Sequence, residues 1–227
     1  MRQIVLDTET TGLQIADGHK IIEIGCIELV DRKFTGNRYH QYLNPQREID
    51  EGALAVHGLS KQFLEEKPLF SEIVEEFMSF VNGAELIIHN APFDVGFINH
   101  ELNMVQKKWR TLTDYCRVID TLVLARQLHI GQRNSLDALC KRYKIDNSQR
   151  DLHGALLDAH LLAQVYLAMT GGQGNLFDGL FDTAETKTRE AMNAITPLAK
   201  KHRKLVVVKA TPEEVLAHES KLAEMNS

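Results

Sequence analysis

The sequence predicts an α/β domain with a mixed central sheet flanked by helices, followed by a C-terminal tail, and three observations support this. Residues 2–10 contain a continuous apolar run typical of a buried central strand. Residues 20–31 and 34–43 are rich in β-branched and aromatic residues across a short polar link, which indicates an antiparallel meander. After Asn44-Pro45 the periodicity becomes helical, and strands and helices then alternate as far as about residue 170.

The later elements are predicted from spacing and from helix ends. Apolar residues in 71–81 recur at helical intervals, with Ser71 as a plausible N-cap. The strongest helix covers 154–169, and Gly171-Gly172 is expected to end it. Between these two helices the pattern predicts a strand at 85–90, a helix at 93–105, a strand leading into a helix over 115–128, and a helix from Ser135 to Tyr143.

The composition is that of a globular protein from a reducing compartment. Of the 227 residues, 44% are hydrophobic and 25% are charged, which suffices for a core. No run approaches the roughly 20 apolar residues of a membrane span, and the first residues do not resemble a signal peptide. The three cysteines are widely spaced within apolar patterns, which favours buried free thiols in the cytoplasm over disulfides or a zinc site.

The net charge of −5 excludes a protein that binds nucleic acid through a strongly basic surface. An enzyme that holds a few terminal nucleotides through metal ions needs little basic surface. The charge therefore predicts weak DNA affinity for the isolated chain, so that a partner delivers the substrate.

Two carboxylates at the end of the first strand suggest a metal site. Asp7 and Glu9 alternate with Thr8, so they project from one face, about 7 Å apart along the strand. Like charges there repel each other and are costly to bury, and a divalent cation would offset both effects. Solvation at an exposed strand end, or pairing with Lys or Arg, is an equally good explanation of these two residues alone.

Further acidic residues make the metal site the better interpretation. Asp94 lies at an expected strand-to-helix junction, and Asp158 lies in a largely apolar helix where an unpaired charge is costly. His153, just ahead of that helix, suits a mobile general base. Oxygen ligands favour Mg²⁺ or Mn²⁺, and two such ions support phosphodiester hydrolysis. Spacing alone does not identify the substrate.

Three segments resemble the sequence blocks of the DEDD exonuclease superfamily, in the subgroup whose last block carries histidine (DEDDh). They are DTETTG from Asp7, HNAPFD ending at Asp94, and HGALLD from His153. RQIVLDTETTG, GHKIIEIG, RNSLDALC and VYLAMTGGQ are also similar to the epsilon proofreading subunits of bacterial DNA polymerase III. The resemblance implies an RNase H-like fold with a five-stranded mixed sheet, and a cytoplasmic enzyme that removes nucleotides from the 3′ end of DNA.

The resemblance also implies residue roles. The metal ligands of two Mg²⁺ or Mn²⁺ ions would be Asp7, Glu9, Asp158 and Asp94, with Asp7 bridging the two ions. His153 would be the general base. The substrate-binding residues would be Asp7, Thr8, Glu9, Gly12, Leu13, His57 and Asp158, with Leu13 as a wedge against the last base. His57 has a competing interpretation as an ordinary loop histidine, and His89 is expected to be structural. Gly52 stands where family members can carry a glutamate, so no role is carried over to it.

The tail is expected to bind partners. The exonuclease domain is predicted at 1–172, a linker at 173–197 and a polymerase-docking tail at 198–227. Within the linker, Gln173, Leu176 and Phe177 resemble the bacterial clamp-binding peptide, although the apolar pair could instead pack back on the domain. The resemblance further implies binding to the polymerase III alpha subunit through the tail, and to a small theta-type subunit where one is present.

Two other functions are compatible with parts of the sequence. An RNA-trimming exonuclease of the same superfamily would share every catalytic residue, but the clamp-like peptide and the docking tail argue against it. A non-catalytic subunit that bridges clamp and polymerase would keep the tail, but all five catalytic positions are intact.

Overall fold

The protein is described here from a computed structural model that covers residues 1–105, 109–150 and 152–171. This part of the chain forms five strands and seven α-helices, with short 3-10 turns at Ile15–Asp17 and Leu112–Asp114. The strands are β1 (Arg2–Thr10), β2 (Ile21–Val30), β3 (Lys33–Tyr42), β4 (Glu85–Ile88) and β5 (Arg117–Asp120). The helices are α1 (Glu51–His57), α2 (Lys61–Leu64), α3 (Phe70–Val81), α4 (Ala91–Met104), α5 (Thr121–Leu128), α6 (Leu136–Tyr143) and α7 (Ala155–Thr170).

The strands form one mixed sheet in the order β3-β2-β1-β4-β5. The first three strands form an antiparallel meander, whereas β1, β4 and β5 run parallel to one another. The central β1 strand is covered on both faces, and Ile4, Val5 and Leu6 are fully buried. This confirms the predicted fold class, including the meander and the five-stranded mixed sheet.

Alternation along β1 feeds two separate cores. Ile4 and Leu6 pack on one face with Phe77 of α3 and Phe97 of α4. Val5 lies on the opposite face, with the apolar residues of α6 and α7. The end of β1 therefore lies between α4 on one side of the sheet and α7 on the other.

Small residues let α7 approach the sheet closely. Ala155, Ala159 and Ala163 recur every four residues along one side of the helix, and all three are fully buried. The helix has its most extensive contacts with β2 and β1. Its N-terminal turn is thereby held beside the end of β1.

The sequence-based elements agree with the structure in order and type, with local differences. The helix predicted from residue 71 begins at Phe70 and its N-cap is Leu69, so the prediction of Ser71 as the N-cap is wrong. The Glu72 carboxylate instead accepts the Leu69 N–H at 2.6 Å, which caps the helix earlier. Ser135 is the predicted N-cap and accepts the Ala138 N–H.

Three further observations bear on the predicted class of protein. Cys26, Cys116 and Cys140 are buried free thiols, as expected. Across the described ranges, no helix has both the length and the apolar character needed to cross a membrane. The predicted linker and docking tail lie outside the described residues.

Candidate active site

The end of β1 carries two carboxylates on one face of the sheet. Asp7 and Glu9 follow Val5 at every second position, so their side chains lie on the face covered by α7, and both are half-buried. The antiparallel register places Glu9 opposite Glu23 of β2, which is only 2% exposed. The register shifts between Glu9 and Thr10, so regular pairing ends at this point.

Asp94 approaches from the other face of the sheet. It lies in the first turn of α4, which follows Asn90 in the left-handed conformation, and it is 3% exposed. The Thr8 hydroxyl donates a hydrogen bond of 2.7 Å to Asp94 Oδ1. Thr8 lies between Asp7 and Glu9 in β1, and its side chain points to the opposite face of the sheet. This hydrogen bond therefore connects α4 to β1 at the position of the two carboxylates.

Asp158 lies in the first turn of α7 and is bound by an arginine. Arg150 Nε donates to Asp158 Oδ1 at 2.6 Å, and its Nη2 donates to Oδ2 at 2.7 Å. The third nitrogen, Nη1, donates to Asp137 Oδ1 at 2.6 Å. The Arg150 side chain is 6% exposed, so this guanidinium is a buried cation between two carboxylates.

His153 lies at the edge of the same cluster. Its backbone N–H donates to the Val56 carbonyl at 3.0 Å, which ties the segment before α7 to α1. Its side chain is 42% exposed. His153 Nδ1 lies 3.0 Å from Arg150 Nη2 and 3.3 Å from Asp158 Oδ2. A histidine so placed can exchange protons with solvent while remaining in contact with the buried acid.

The carboxylates raise one another's pKa values. Burial, followed by the charges of Asp94, Asp158 and Glu9, raises the pKa of Asp7 well above its usual range. Burial and the neighbouring carboxylates raise the pKa of Glu9 to about 8. Burial also raises the pKa of Asp94, to about 7. The cluster therefore resists carrying its full negative charge in the absence of a further cation.

A divalent cation fits this arrangement. Glu9, His153 and Asp158 each offer a ligand atom, and these three atoms lie within 4.8 Å of one another. A cation among them would stabilise ionised carboxylates that repel one another and are costly to bury. Carboxylate oxygens with one imidazole nitrogen are a ligand set that suits Mg²⁺ or Mn²⁺. Structural zinc sites, in contrast, usually contain sulfur ligands.

Two cavities meet at the cluster. One, of about 690 Å³, is lined by all four acidic residues together with Arg150 and His153. The second, of about 560 Å³, has a more apolar lining that includes Gly12, Leu13 and His57. Thr8, Glu9 and Phe93 line both cavities. An extended polymer whose terminal unit lies in the apolar cavity can thus place the backbone linkage of that unit next to the carboxylates.

Comparison with known proteins decides the family. Residues 4–166 match the exonuclease family. The chain is 51% identical to the DNA polymerase III subunit epsilon of Escherichia coli (strain K12), over 97% of this chain and 92% of that protein. It is 48% identical to the subunit of the same name from Haemophilus influenzae, over 99% of this chain and 91% of that protein. The chain belongs to the DNA polymerase III epsilon subunit family.

Solved structures agree with this placement. Exonuclease X in complex with 5′ overhanging duplex DNA has a TM-score of 0.60 at 26% identity, covering 76% of this chain and 93% of that one. Escherichia coli exonuclease I in complex with a dT13 oligonucleotide has a TM-score of 0.63 at 19% identity, covering 79% and 43%. The epsilon-family chain therefore has the fold of these exonucleases, which confirms the RNase H-like class.

The structure brings together the residues that the sequence singled out for the epsilon-type site. Asp7, Glu9, Asp94, Asp158 and His153 surround the end of β1. The expected substrate-binding residues Thr8, Gly12, Leu13 and His57 line the adjoining cavity. The expected clamp-binding residues Gln173, Leu176 and Phe177 lie outside the described residues.

The structure also places two histidines outside the acidic cluster. His57 is 4% exposed, and its Nδ1 accepts the Leu59 N–H at 3.0 Å. Its Nε2 is buried and has no hydrogen-bond partner among the described residues, so it is not an ordinary loop histidine. His89 Nδ1 lies 2.9 Å from Thr121 Oγ1, which fits the structural role expected for it.

Sequence reasoning missed three contributors to this epsilon-family site. Arg150 and Asp137 were not singled out, because their contacts join three segments that are separate in sequence. The backbone of Thr8 was predicted to contact the substrate, but the hydrogen bond from its hydroxyl to Asp94 was not predicted. The signal available for Arg150 was an arginine three residues before His153, which is too common a pattern to predict a buried ion pair.

Proposed function

We propose that this chain removes mispaired nucleotides from the 3′ end of DNA by metal-dependent phosphodiester hydrolysis, as the proofreading subunit of DNA polymerase III. The observation that carries the proposal is the meeting of Asp7, Glu9, Asp94, Asp158 and His153 around the end of β1. Membership of the exonuclease family and similarity to epsilon subunits support the same reaction. Work at the replicative polymerase places the chain in the bacterial cytoplasm.

The acidic residues are assigned to two Mg²⁺ or Mn²⁺ ions. Asp7, Glu9 and Asp158 would be direct ligands, and Asp94 would hold the second ion. Bound ions would neutralise the scissile phosphate, activate the attacking water and stabilise the leaving 3′ oxygen. The elevated pKa values of Asp7, Glu9 and Asp94 support this assignment, because these acids gain most from a neighbouring cation.

His153 is assigned as the general base. Its ring is accessible and lies next to Asp158, so it can accept a proton from the attacking water and release it to solvent. The hydrogen bond from its backbone N–H to Val56 fixes the main chain while the ring can turn.

The apolar cavity is assigned to the terminal nucleotide. Thr8 and Gly12 would offer backbone contacts, and Leu13, 76% exposed, is available as a wedge against the last base. The substrate would supply His57 Nε2 with the hydrogen-bond partner that it lacks among the described residues. A frayed end is cheaper to unpair than a matched one, so a site that accepts only single strands selects mispaired termini.

Hydrolysis of a 5′-labelled single-stranded DNA oligonucleotide tests the reaction. A ladder that shortens from the 3′ end with Mg²⁺ or Mn²⁺, and not with EDTA, is the expected result. Asp7→Ala and His153→Ala should each abolish the ladder, and full activity in either variant would refute the site assignment. An RNA oligonucleotide of the same sequence should be cleaved much more slowly. Preferential RNA cleavage would favour an RNA-trimming enzyme instead.

The partner assignments belong to the same proposal. Gln173, Leu176 and Phe177 would bind the sliding clamp, and residues 198–227 would bind the polymerase alpha subunit. A theta-type subunit would also bind where one exists. Leu176→Ala combined with Phe177→Ala should weaken clamp binding and leave oligonucleotide hydrolysis unchanged. Unchanged clamp binding in a pull-down would show that this apolar pair serves another purpose.

A further inference from the structure

Arg150 is a buried cation placed where the proposed metal ligands need positive charge. Its guanidinium donates two hydrogen bonds to Asp158, one to each oxygen, in the bidentate geometry that arginine forms with carboxylates. The side chain is 6% exposed and that of Asp158 is 4% exposed. Both oxygens of this acid are therefore engaged by the protein itself.

The same guanidinium also engages the proposed base. Arg150 Nη2 lies 3.0 Å from His153 Nδ1, and an arginine nitrogen can only donate. The same His153 nitrogen lies 3.3 Å from Asp158 Oδ2, so the guanidinium, the imidazole and the carboxylate are in mutual contact. Movement of the guanidinium away from Asp158 would therefore also separate it from His153.

A second carboxylate can keep the guanidinium ion-paired when it leaves Asp158. Arg150 Nη1 already donates to Asp137 Oδ1 at 2.6 Å. Asp137 lies in the first turn of α6, its side chain is 58% exposed, and it also accepts from Asn147. Rotation about Asp137 can therefore release Asp158 and His153 without leaving a buried arginine unpaired.

We propose that Arg150 is a positioning residue that serves as the internal counter-cation of the active site and exchanges with the catalytic metal. Without metal, Arg150 neutralises Asp158 and lies against His153. When metal binds Asp158, Arg150 gives up this acid, moves away from His153 and remains on Asp137. This inference rests on the metal site of the proposed function and adds a competition that the proposed function does not require.

The competition has a measurable consequence for metal affinity. A ligand and an internal group that exclude each other are thermodynamically linked, and such coupling is typically 5–150-fold. Removing the guanidinium should therefore strengthen metal binding, although it also removes an ion pair from the metal-free protein. A purely structural ion pair would have the opposite effect, because its loss would disorder Asp158 and weaken metal binding.

The test is Mn²⁺ titration calorimetry on the full chain, together with melting temperatures in EDTA and in Mn²⁺. Arg150→Gln should melt lower than wild type in EDTA, show a larger rise on adding Mn²⁺, and bind Mn²⁺ about tenfold more tightly. Arg142→Gln is the matched control. It removes an arginine that donates to Asn134 and to the Arg133 carbonyl, away from the proposed metal ligands, and its Mn²⁺ affinity should equal that of wild type.

The possible outcomes separate this inference from the proposed function. Unchanged or weaker Mn²⁺ binding by Arg150→Gln, with normal binding by wild type, would overturn the counter-cation role alone. No Mn²⁺ binding by wild type would overturn the metal site and this inference together. If Arg150→Gln does not fold in EDTA, Arg150→Lys decides. Lysine keeps the positive charge but cannot form the bidentate contact with Asp158. Tighter Mn²⁺ binding than wild type would support the exchange of Arg150 with metal, and equal or weaker Mn²⁺ binding would contradict it.

Discussion

Gly25 of β2 lies directly against Leu156 in the first turn of α7. A Cβ atom at Gly25 would lie 2.2 Å from the Leu156 backbone nitrogen, closer than any real contact. Gly25 is also the cross-strand neighbour of Asp7. The absence of a side chain at this position therefore sets how closely Asp158 approaches Asp7.

Gly25→Ala is expected to displace the start of α7 and to abolish cleavage. The obstructing atoms belong to the backbone, so relief requires movement of the helix and not of a flexible side chain. Overpacking of this kind costs about 1–3 kcal/mol, which urea denaturation would measure. Oligonucleotide hydrolysis should fall by at least about 100-fold, since small displacements of catalytic groups have effects of this size.

Gly96→Ala provides the matched control for that substitution. Gly96 lies inside α4, and the nearest atom to an added Cβ is the mobile end of Ile15, at 3.2 Å. Stability should change by less than about 1 kcal/mol, and cleavage should persist. Equal loss of cleavage in both variants would show that the close approach at Gly25 has no special role.

His57→Asn is expected to weaken substrate binding more than it weakens the fold. Asparagine can replace Nδ1 as the acceptor for Leu59 N–H, but it offers nothing at the position of the buried, unpartnered Nε2. Losing a hydrogen bond to substrate costs about 0.5–1.5 kcal/mol, so KM for a single-stranded oligonucleotide should rise about 2- to 12-fold. Steady-state kinetics would detect the change. An unaltered KM would contradict a role of His57 Nε2 in substrate binding.

The metal-free protein is expected to lose stability as pH rises. Burial and the surrounding carboxylates, opposed in part by Arg150, raise the pKa of Glu9 from 4.5 to about 8. Burial, opposed in part by hydrogen bonds that include the one from Thr8, raises the pKa of Asp94 from 3.8 to about 7. The folded state then binds more protons than the unfolded state between about pH 4 and 8, so stability falls with pH by at most about 1.4 kcal/mol per unit for each proton.

Melting curves in EDTA between pH 5 and pH 8.5 would measure this effect. The melting temperature should fall with pH, and the decline should be smaller in Glu9→Gln, which cannot ionise. Mn²⁺ should counteract the decline, because metal binding favours the ionised acids. A melting temperature in EDTA that rises over the same interval would contradict the elevated pKa values.

Several features of the site were predictable because they follow from local periodicity. Period-two alternation places Asp7 and Glu9 on one face, and the structure has them there. The long helical pattern of α7 placed Asp158 within a buried helix, as found. These predictions need only the geometry of one element and its apolar face.

Features that depend on contacts between distant segments could not be predicted in this way. The helices α1 and α2 span only seven and four residues, too short for a periodic signal. The burial of His57 depends on how α1 packs, and the binding of Arg150 to Asp158 depends on the path of the segment before α7. Such relationships appear only when the tertiary structure is known.

Thr8→Val is expected to shift metal binding to higher pH. The Thr8 hydroxyl stabilises the ionised form of Asp94 through a hydrogen bond of 2.7 Å, which lowers the pKa of that acid against the effect of burial. Valine has a similar shape but cannot donate, so the pKa of Asp94 should rise further, by about one unit for a hydrogen bond to a charged group. Since Mn²⁺ competes with the proton, the pH of half-maximal Mn²⁺ binding should rise by a similar amount.

Thr10→Val separates this effect from the general loss of a buried hydroxyl. Thr10 also lies on β1 and also donates a hydrogen bond of 2.7 Å, but its acceptor is the Gly12 carbonyl and not an acid. Its Mn²⁺ binding should keep the pH dependence of wild type, and Thr8→Ser, which retains a donor, should do the same. If Thr8→Val and Thr10→Val gave the same shift, the hydrogen bond to Asp94 could not be its cause, and the charge of Asp94 would be set by burial alone.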